Sequence, residues 1–129
     1  MKLLLDTHAF LWSMASVNRL SQTAEEAIVD LANELYVSSI SFYEITYKIR
    51  IGKMPDIKVS SSKPHDFLLR LGAHELPVSS LHAAGAGSME WNHADPFDRI
   101  LAAQALCDDL HLVTIDKEFS SLPDLKTIW

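Results

Sequence analysis

The sequence is poor in the features that mark secreted, membrane-spanning or disordered proteins. It has one cysteine, Cys107, which cannot form an internal disulfide, and only 4 glycines and 5 prolines in 129 residues. Asp6 and His8 break the first apolar run well short of a signal-peptide core, and no later run could span a membrane. Because Cys107 lies within an apolar helical pattern, we expect a buried thiol. Together these absences predict a globular protein of the reducing cytoplasm.

Basic residues are also scarce, since 11 Lys and Arg stand against 17 Asp and Glu and the formal net charge is -6. That balance argues against a nucleic-acid partner, because phosphate binding depends on neutralisation by Lys and Arg. The bases are nevertheless concentrated in residues 48–63. This stretch contains one acid, Asp56, and the bases Lys48, Arg50, Lys53, Lys58 and Lys63. Such a run is usually only a solvated face, so on its own it leaves phosphate binding open.

What the sequence does contain is enough apolar material for one packed core. Hydrophobic residues make up 48% of the chain and charged residues 22%, without a low-complexity tract, an internal repeat or a linker. A chain of 129 residues can bury a core without disulfides or a structural metal. We therefore expect residues 1–129 to form a single domain.

Short apolar segments alternate with longer segments of helical periodicity. The short segments predict strands at residues 2–5, 35–38, 75–78, 111–115 and 125–129. The longer segments predict helices at residues 20–34, 41–51, 64–71 and 95–108, with a further short helix capped by Ser79 or Ser80. Connections of a dozen or more residues allow successive strands to run parallel. The pattern predicts an α/β fold with a parallel sheet of about five strands, covered by helices on both faces.

Three helix starts carry specific signals. Ser21 precedes apolar residues at helical spacing and is predicted to be an N-cap. Ser41 and Glu44 have the spacing of a capping box, in which each side chain satisfies a backbone amide near the other residue. Asp95, followed by proline, is a strong start signal, with Asp98 as an acid in the first turn.

Four acids from distant parts of the chain are predicted to converge. In open parallel sheets, ligands bind beyond the carboxyl ends of the strands. Asp6 directly follows the first predicted strand and Asp116 directly follows the fourth. Glu44 lies in the helix after the second strand, and Asp98 lies near the start of its helix, so both can reach the same edge.

Each acid taken alone has an ordinary explanation as a cap, a turn residue or a first-turn acid. Taken together, these explanations fail on energy. Two like charges about 4 Å apart repel by about 4 kcal/mol at an effective dielectric near 20. Capping gains of about 1 kcal/mol each would not offset several such pairs, whereas a bound cation would.

The type of cation follows from the ligand atoms. Carboxylate oxygens favour Mg²⁺, with Mn²⁺ as a substitute. Zinc is disfavoured because Cys107 stands alone and the 6 histidines show no paired helical spacing. His8 and His93 lie near the predicted site, and we interpret both as ordinary hydrogen-bonding or surface histidines. A divalent ion next to a cationic stretch indicates phosphate chemistry with a metal-activated water.

Four segments of the chain carry a more specific pattern. They are L-L-L-D-T-H-A-F-L-W, S-S-I-S-F-Y-E-I, H-A-D-P-F-D-R-I-L-A-A-Q-A and L-V-T-I-D-K-E-F, in this order. One D-T or S-x-x-E alone is weak, but all four at these separations are specific. By these segments the chain resembles the PIN domains, and most closely the VapC-type toxins of bacterial toxin–antitoxin pairs. The resemblance covers nearly the whole chain.

The resemblance implies a PIN-like α/β/α sandwich and a Mg²⁺-dependent endoribonuclease that acts as the toxin of a type II toxin–antitoxin pair. It also implies RNA as the substrate, a homodimer, and inhibition by a cognate antitoxin protein. A homodimer is favoured further by an aromatic complement that a small core cannot wholly bury. That complement includes Phe10, Trp12, Trp91 and Trp129.

Carried over residue by residue, the family's catalytic and metal-binding acids fall on Asp6, Glu44, Asp98 and Asp116. Thr114 matches the hydroxyl that commonly supports the site, and Thr7 is taken as a second supporting residue. Asp95 matches the first acid of D-P-F-D, but its neighbour Asp98 has the expected spacing to the last acid. Asp95 is therefore assigned to capping and to an outer shell of the site. The expected RNA contacts are Lys48, Arg50, Lys53 and Arg99.

Two other classes remain open. An aspartate-nucleophile phosphatase also carries an acid at the end of its first strand, but this chain reads D-T-H-A-F and lacks the second aspartate of the D-x-D-x-T/V pattern. A non-enzymatic receiver-like or protein-interaction domain could bind a regulatory cation with the same acids. Phosphorylation by a small phosphodonor, or absence of nuclease activity with Mg²⁺ or Mn²⁺, would favour these alternatives.

Overall fold

The computed structural model describes residues 1–54, 57–58 and 63–129, so Asp56 of the basic stretch lies outside the described residues. The strands are β1 (Lys2–Leu5), β2 (Glu34–Ser38), β3 (Ala73–Leu76), β4 (His111–Val113) and β5 (Thr127–Ile128). The helices are α1 (Thr7–Ala15), α2 (Gln22–Val29), α3 (Ser39–Arg50), α4 (Pro64–Leu71), α5 (Ser80–Ser88) and α6 (Pro96–Cys107). Two short 3-10 turns lie at Val17–Arg19 and Lys117–Ser121.

The strands form one parallel sheet in the order β3-β2-β1-β4-β5, with β1 in the centre. Leu5 at the end of β1 is in register with Val37 of β2 and Val113 of β4. The carboxyl ends of these three strands are therefore level with one another. Residues that follow them directly, including Asp6 and Thr114, lie at the same edge of the sheet.

The central strand is buried on both faces. Leu3 and Leu5 pack into a core cluster with Phe10 of α1 and Ile45 of α3. Leu4 points to the opposite face, because successive strand residues alternate, and packs into a second cluster that contains residues of α6. The helices thus cover both sides of the sheet, which confirms the predicted α/β/α arrangement.

Several observed element boundaries agree with the predicted ones, and others differ for local reasons. The bounds predicted for α4 and the start of α6 are confirmed. β3 begins two residues before its predicted start, because Gly72, with a φ of 70°, ends α4 and leads directly into the strand. α2 ends at Val29 in place of residue 34, because Asp30 accepts a hydrogen bond from the Ala32 amide and starts a turn.

The capping box predicted for Ser41 and Glu44 is wrong. β2 runs into α3 without a loop, so the last strand residue, Ser38, is the N-cap and accepts a hydrogen bond from the Ile40 amide at 3.2 Å. Ser41 lies inside the helix and is fully buried. Its Oγ accepts a hydrogen bond from the hydroxyl of Thr7 at 3.1 Å. Glu44 therefore does not cap α3.

Of two expectations about apolar residues, one is wrong and the other agrees with the structure. Cys107 is exposed, because it is the last residue of α6 and lies beyond the buried stripe of that helix. Phe10 is 1% exposed, and Trp12, Trp91 and Trp129 pack against the two core clusters. Phe10 is thus buried, whereas the three tryptophans are only partly buried, in agreement with the expectation that a small core does not cover all four aromatic side chains. Among the described residues, no helix is both long and apolar enough to cross a membrane.

Candidate metal centre

The four predicted acids lie around one cavity at the carboxyl edge of the sheet. The cavity has a volume of about 230 Å³. It is lined by Asp6, Glu44, Asp98 and Asp116, together with Thr7, His8, Lys48, His93, Asp95, Ile115 and Phe119. Each acid comes from a different part of the chain: the end of β1, the second turn of α3, the first turn of α6, and the residues after β4. The convergence expected from the sequence is therefore present in the fold.

Asp6 is fixed by the backbone on both sides. Its amide donates to the carbonyl of Val113 at 3.1 Å, which ties it to the end of β4. Its Oδ1 accepts a hydrogen bond from the Ala9 amide at 2.7 Å and so caps α1. Burial raises the pKa of Asp6, although hydrogen bonds from Ala9 and Thr114 lower it. A carboxylate with 6% exposure in this position favours a cation beside it.

Glu44 is the second deeply placed acid, with 4% exposure. Its Oε2 forms an ion pair with the ammonium of Lys48, one helical turn further along α3. The ammonium also lies 5.9 Å from the centroid of the Phe97 ring, on the neighbouring helix α6. Lys48 is thus a counter-ion to the buried carboxylate as well as a predicted RNA contact.

Buried hydroxyls hold the elements around the acids. Thr7 is 3% exposed, and its bond to Ser41 joins the first turn of α1 to α3. Thr114 is 4% exposed and accepts a hydrogen bond from the Asp116 amide at 3.0 Å. This bond fixes the turn that carries Asp116. The supporting positions predicted for the two threonines are thus next to the acids, and Ser41 is an additional residue that the sequence analysis had assigned to capping.

Asp98 lies closer to solvent, with 20% of its side chain exposed. Its Oδ2 lies 2.7 Å from Nε2 of His93. Burial raises the pKa of Asp98 to about 6, against the effect of the hydrogen bond from His93, and the charges of Asp95 and Glu44 raise it further. The same hydrogen bond raises the pKa of His93. The ionisation of each partner therefore depends on the other.

Asp116 completes the outer side of the cavity. Its Oδ1 accepts a hydrogen bond from the Glu118 amide at 2.9 Å and caps the short turn after β4. His93, Asp98 and Asp116 each offer one ligand atom, and these atoms lie within 4.8 Å of one another. We call these three residues the outer triad, and Asp6 with Glu44 the deep pair.

The profile of the PIN domain matches residues 3–125 of the chain. The chain belongs to the PIN-domain family. Ribonuclease VapC22 of Mycobacterium tuberculosis is 31% identical to it over 132 aligned residues, which cover 98% of this chain and 97% of that protein. PIN ribonucleases are metal-dependent, and the acidic cluster described above could hold a metal ion.

Solved structures show the same fold. VapBC2 from Rickettsia felis, bound to a DNA fragment from its promoter, superposes with a TM-score of 0.69 at 20% identity and covers 98% of this chain and 97% of its own. A toxin–antitoxin complex from Klebsiella pneumoniae superposes with a TM-score of 0.65 at 16% identity and covers 95% of this chain and 94% of its own. At these identities the comparison establishes the PIN fold.

Asp95 of this PIN domain is the N-cap of α6. Its Oδ1 accepts hydrogen bonds from the amides of Phe97 at 2.9 Å and Asp98 at 3.4 Å. It also lines the cavity. The structure therefore places Asp95 both in the capping position and at the edge of the site.

The guanidinium of Arg99 contacts backbone carbonyls at the end of α5 and in the loop after it. Its Nε donates to the carbonyl of Ala86 at 2.9 Å, and its Nη1 donates to those of Trp91 at 2.8 Å and His93 at 2.9 Å. Nη2 donates to the carbonyl of Met89. The RNA contact predicted for Arg99 stays a prediction, and in this structure its guanidinium holds the loop between α5 and α6 against the start of α6.

Two of the other predicted RNA contacts are on the surface of the PIN domain. Arg50 and Lys53 are exposed, and the guanidinium carbon of Arg50 lies 5.5 Å from the ring centroid of Tyr47. Lys53 lines a groove beside the cavity, together with His8 and Trp12. His8 lines both the groove and the acidic cavity, so the two lie next to each other.

His93 was expected near the site, but its direct contact with Asp98 was not predicted from the sequence. The H-A-D-P-F-D segment contains the signal, since a histidine five positions before Asp98 can fold back over a helix start. That signal is ambiguous, because the same spacing also suits an exposed loop. In the fold, Arg99 holds the backbone carbonyl of His93, and the imidazole faces Asp98.

Proposed function

We propose that this chain is a metal-dependent endoribonuclease in which Asp6, Glu44, Asp98 and Asp116 hold the metal. The observation that carries the proposal is the convergence of these acids on one cavity of about 230 Å³. Burial raises the pKa values of Asp6 and Asp98, so their charged forms are costly unless a cation is present. The donor set thus fits a divalent ion.

Mg²⁺ is the proposed ion, with Mn²⁺ as a substitute, because the donors are mainly carboxylate oxygens. When bound by these acids, an ion of this kind would supply an activated water and stabilisation of negative charge on the leaving oxygen. The chain itself supplies the positions: the Ala9 amide and Thr114 orient Asp6, and the Glu118 amide orients Asp116. Preorganised ligands of this kind avoid reorganisation during the reaction.

RNA is the proposed substrate, in keeping with the ribonuclease relative that shares 31% of aligned residues. Arg50 and Lys53 are proposed to attract the backbone phosphates next to the acidic cavity. A chain with a net charge of -6 needs such local bases, because its overall field repels RNA. We also propose that residues 1–129 are one nuclease domain, which the PIN match over residues 3–125 supports.

We propose further that the chain is the toxin of a type II toxin–antitoxin pair and forms a homodimer in the cytoplasm. Structural relatives that are toxin–antitoxin complexes support the antitoxin partner. Exposed aromatic surface on α3, where Tyr43 is 60% exposed, supports a second protein contact. An arginine of the antitoxin would suit the acidic cavity, because a guanidinium binds carboxylates with two parallel hydrogen bonds.

The phosphatase and receiver-like alternatives have less support. The phosphatase and a phosphorylated receiver require a carboxylate that attacks a phosphorus atom, and Asp6 is 6% exposed with Oδ1 committed to the Ala9 amide. A protein-interaction domain needs no such carboxylate, and cleavage of RNA is what separates it from the nuclease. The match to PIN domains points to neither class. Phosphorylation of the purified protein by a small phosphodonor would support the phosphatase or receiver-like alternative.

The test is RNA cleavage with Mg²⁺, with Mn²⁺ and with a chelator, using Asp98→Asn and Glu44→Gln. Gln and Asn preserve size while removing the charge of the ligand. Asp109→Asn is the matched control, because Asp109 is an exposed acid paired with Lys126 outside the cavity. We expect the control to cleave like the parent and the two site variants to lose cleavage. Cleavage at the parent rate by folded Asp98→Asn and Glu44→Gln would refute the proposal.

A further inference from the structure

The outer triad contains a nitrogen donor that an all-carboxylate site lacks. Nε2 of His93 lies 2.7 Å from Oδ2 of Asp98, and the ligand atoms of these two residues and Asp116 lie within 4.8 Å of one another. The side chains of His93 and Asp98 are 21% and 20% exposed. The imidazole therefore lies at the mouth of the cavity, level with the outer acids.

The separations suit a shared ion. Ligand atoms about 2.1 Å from an octahedral ion lie about 3.0 Å apart when adjacent and about 4.2 Å apart when opposite. The 2.7 Å contact between Nε2 of His93 and Oδ2 of Asp98 is a hydrogen bond slightly shorter than an adjacent-ligand separation, so an ion bound by both atoms would replace the shared proton, which leaves to solvent. The largest separation in the triad, up to 4.8 Å, closes to an opposite pair with shifts of a few tenths of an ångström per side chain.

The ring of His93 is held with Nε2 toward the acids. Its backbone carbonyl accepts a hydrogen bond from Arg99 at 2.9 Å. Its ring packs against Trp91, with centroids 4.8 Å apart, and lies 6.5 Å from the ring of Phe119. A ring fixed on several sides loses little conformational freedom when it binds an ion.

We propose, on the basis of the metal-dependent function above, that His93 is itself a ligand of the divalent ion through Nε2, beside Asp98 and Asp116. Imidazole nitrogen binds transition-metal ions better than it binds Mg²⁺, which prefers oxygen. The site thereby selects Mn²⁺ over Mg²⁺ more strongly than four carboxylates alone would. The competing role for His93 is to orient Asp98 by a hydrogen bond without touching the ion.

The experiment that separates these roles is pulsed electron paramagnetic resonance of the full chain loaded with Mn²⁺. A directly bound imidazole couples its ¹⁴N nucleus to the Mn²⁺ electron spin. We compare the parent, His93→Gln and His8→Gln. Gln can still donate an amide hydrogen bond to Asp98, and His8 is a matched control because it lines the same cavity outside the outer triad. We expect imidazole ¹⁴N coupling in the parent and in His8→Gln, and its loss in His93→Gln.

Calorimetric titration gives the second readout. Loss of a nitrogen ligand should weaken Mn²⁺ binding by about 10-fold or more and Mg²⁺ binding much less, so the Mn²⁺ preference falls by roughly 10-fold. Absence of ¹⁴N coupling in the parent, or its persistence in His93→Gln, would overturn the proposal even if one variant folded poorly. Both measurements are made without RNA. A chain that shows the coupling but cuts no RNA would contradict the nuclease proposal and leave the ligand assignment standing.

Discussion

The deep pair and the outer triad differ in what holds them. Asp6 and Glu44 are 6% and 4% exposed and lie on elements that continue directly from the buried strands β1 and β2. Asp98 and Asp116 are partly exposed, and their neighbour His93 lies in a loop. The deep pair is thus positioned by elements that leave the buried strands, with Asp6 also capping α1, whereas the outer triad is positioned by turn and loop contacts.

This difference has a consequence for metal binding. At a buried position, a lost carboxylate oxygen is hard to replace, because solvent has little access. At the outer position, a water molecule can occupy the place of a missing ligand, and Mg²⁺ commonly keeps several waters. Equal changes of charge should therefore have unequal effects on the two sides of the cavity.

The largest effect is expected from Asp6→Asn. Asn caps helices about as well as Asp, so α1 should keep its N-cap while the cavity loses a charge. RNA cleavage should fall by roughly 10²-fold or more, because several kcal/mol of charge stabilisation are lost. The same change at Asp98 should cost less, since water can take its place. The measurement is the cleavage rate at saturating Mg²⁺ for both variants.

The metal-free melting temperature is the control for that comparison. Removing one negative charge from a crowded cluster should leave it unchanged or raise it. If activity in Asp6→Asn fell only in step with melting temperature, the loss would reflect unfolding. If Asp98→Asn lost as much activity as Asp6→Asn, the distinction between the deep pair and the outer triad would be wrong.

The next effect concerns the support of the outer triad. Arg99→Lys keeps the positive charge but cannot donate to the carbonyls of Ala86, Trp91 and His93 at once. Carbonyls left without these donors cost about 2 kcal/mol or more in the free energy of unfolding. Chemical denaturation should show that loss, together with weaker binding of Mn²⁺.

Lys53→Gln is the matched comparison for Arg99→Lys. Lys53 is an exposed base beside the cavity, so its loss should weaken RNA binding and reduce its salt dependence without lowering stability. If Arg99→Lys were as stable as the parent but bound RNA more weakly, that result would support Arg99 as an RNA contact.

A smaller effect is expected from pH on the metal-free chain. The pKa of Asp98 is raised to about 6 from an ordinary value of 3.8, so the folded state holds its proton more tightly than the unfolded state. Its contribution to stability is therefore full below about pH 4 and is lost as pH rises through about 6. The raised pKa values of Asp6 and His93 act in the same direction.

Metal-free stability should accordingly fall between about pH 4 and 6 through Asp98, and further above about pH 6.5, the ordinary pKa of histidine, through His93. Asp98 is partly screened by solvent, so we expect its share to be roughly 1–2 kcal/mol. Asp98→Asn should flatten the profile, and saturating Mg²⁺ should raise stability mainly at the upper end of the range. A parent profile that rose with pH in this window would contradict the pKa directions of the cavity.

The same division explains what could be predicted from the sequence. Apolar strands place Asp6 by their own hydrophobic pattern, because the residue after a central parallel strand must lie at the carboxyl edge. Asp95 was predictable for another local reason, the proline that follows it. Both signals act within a few residues, so tertiary contacts were not needed to interpret them.

Contacts between distant segments set the remaining features. Ser41 has the sequence spacing of a cap, but β2 leaves no loop before α3, so the cap is Ser38. The places of His93 and Arg99 depend on a loop whose shape is fixed by carbonyl hydrogen bonds. Cys107 follows the apolar pattern of α6 but lies where the helix leaves the core. Local spacing carries no information about these neighbours.

The smallest effect is expected at Asp95, which joins the capping frame to the cavity. Its Oδ1 accepts hydrogen bonds from the amides of Phe97 and Asp98, and Asn can accept the same bonds. Asp95→Asn should change stability by less than about 0.5 kcal/mol and cleavage by only a few-fold. Asp95→Ala removes the cap and should cost about 1 kcal/mol, with a matching loss of order at the start of α6.

Measuring both Asp95 variants decides whether its charge belongs to the metal site. If Asp95 acts only as a cap, activity follows stability. Asp95→Asn then retains stability and activity, and Asp95→Ala loses part of both. If the carboxylate takes part in holding the ion, Asp95→Asn should melt like the parent but lose much of its Mg²⁺ affinity. The geometry favours the first outcome for two reasons. Oδ1 of Asp95 already accepts hydrogen bonds from the amides of Phe97 and Asp98 at the start of the helix. Asp98, one turn further along, is the acid that contacts His93. Melting temperature and Mg²⁺ titration on the same two preparations distinguish the outcomes without any RNA substrate.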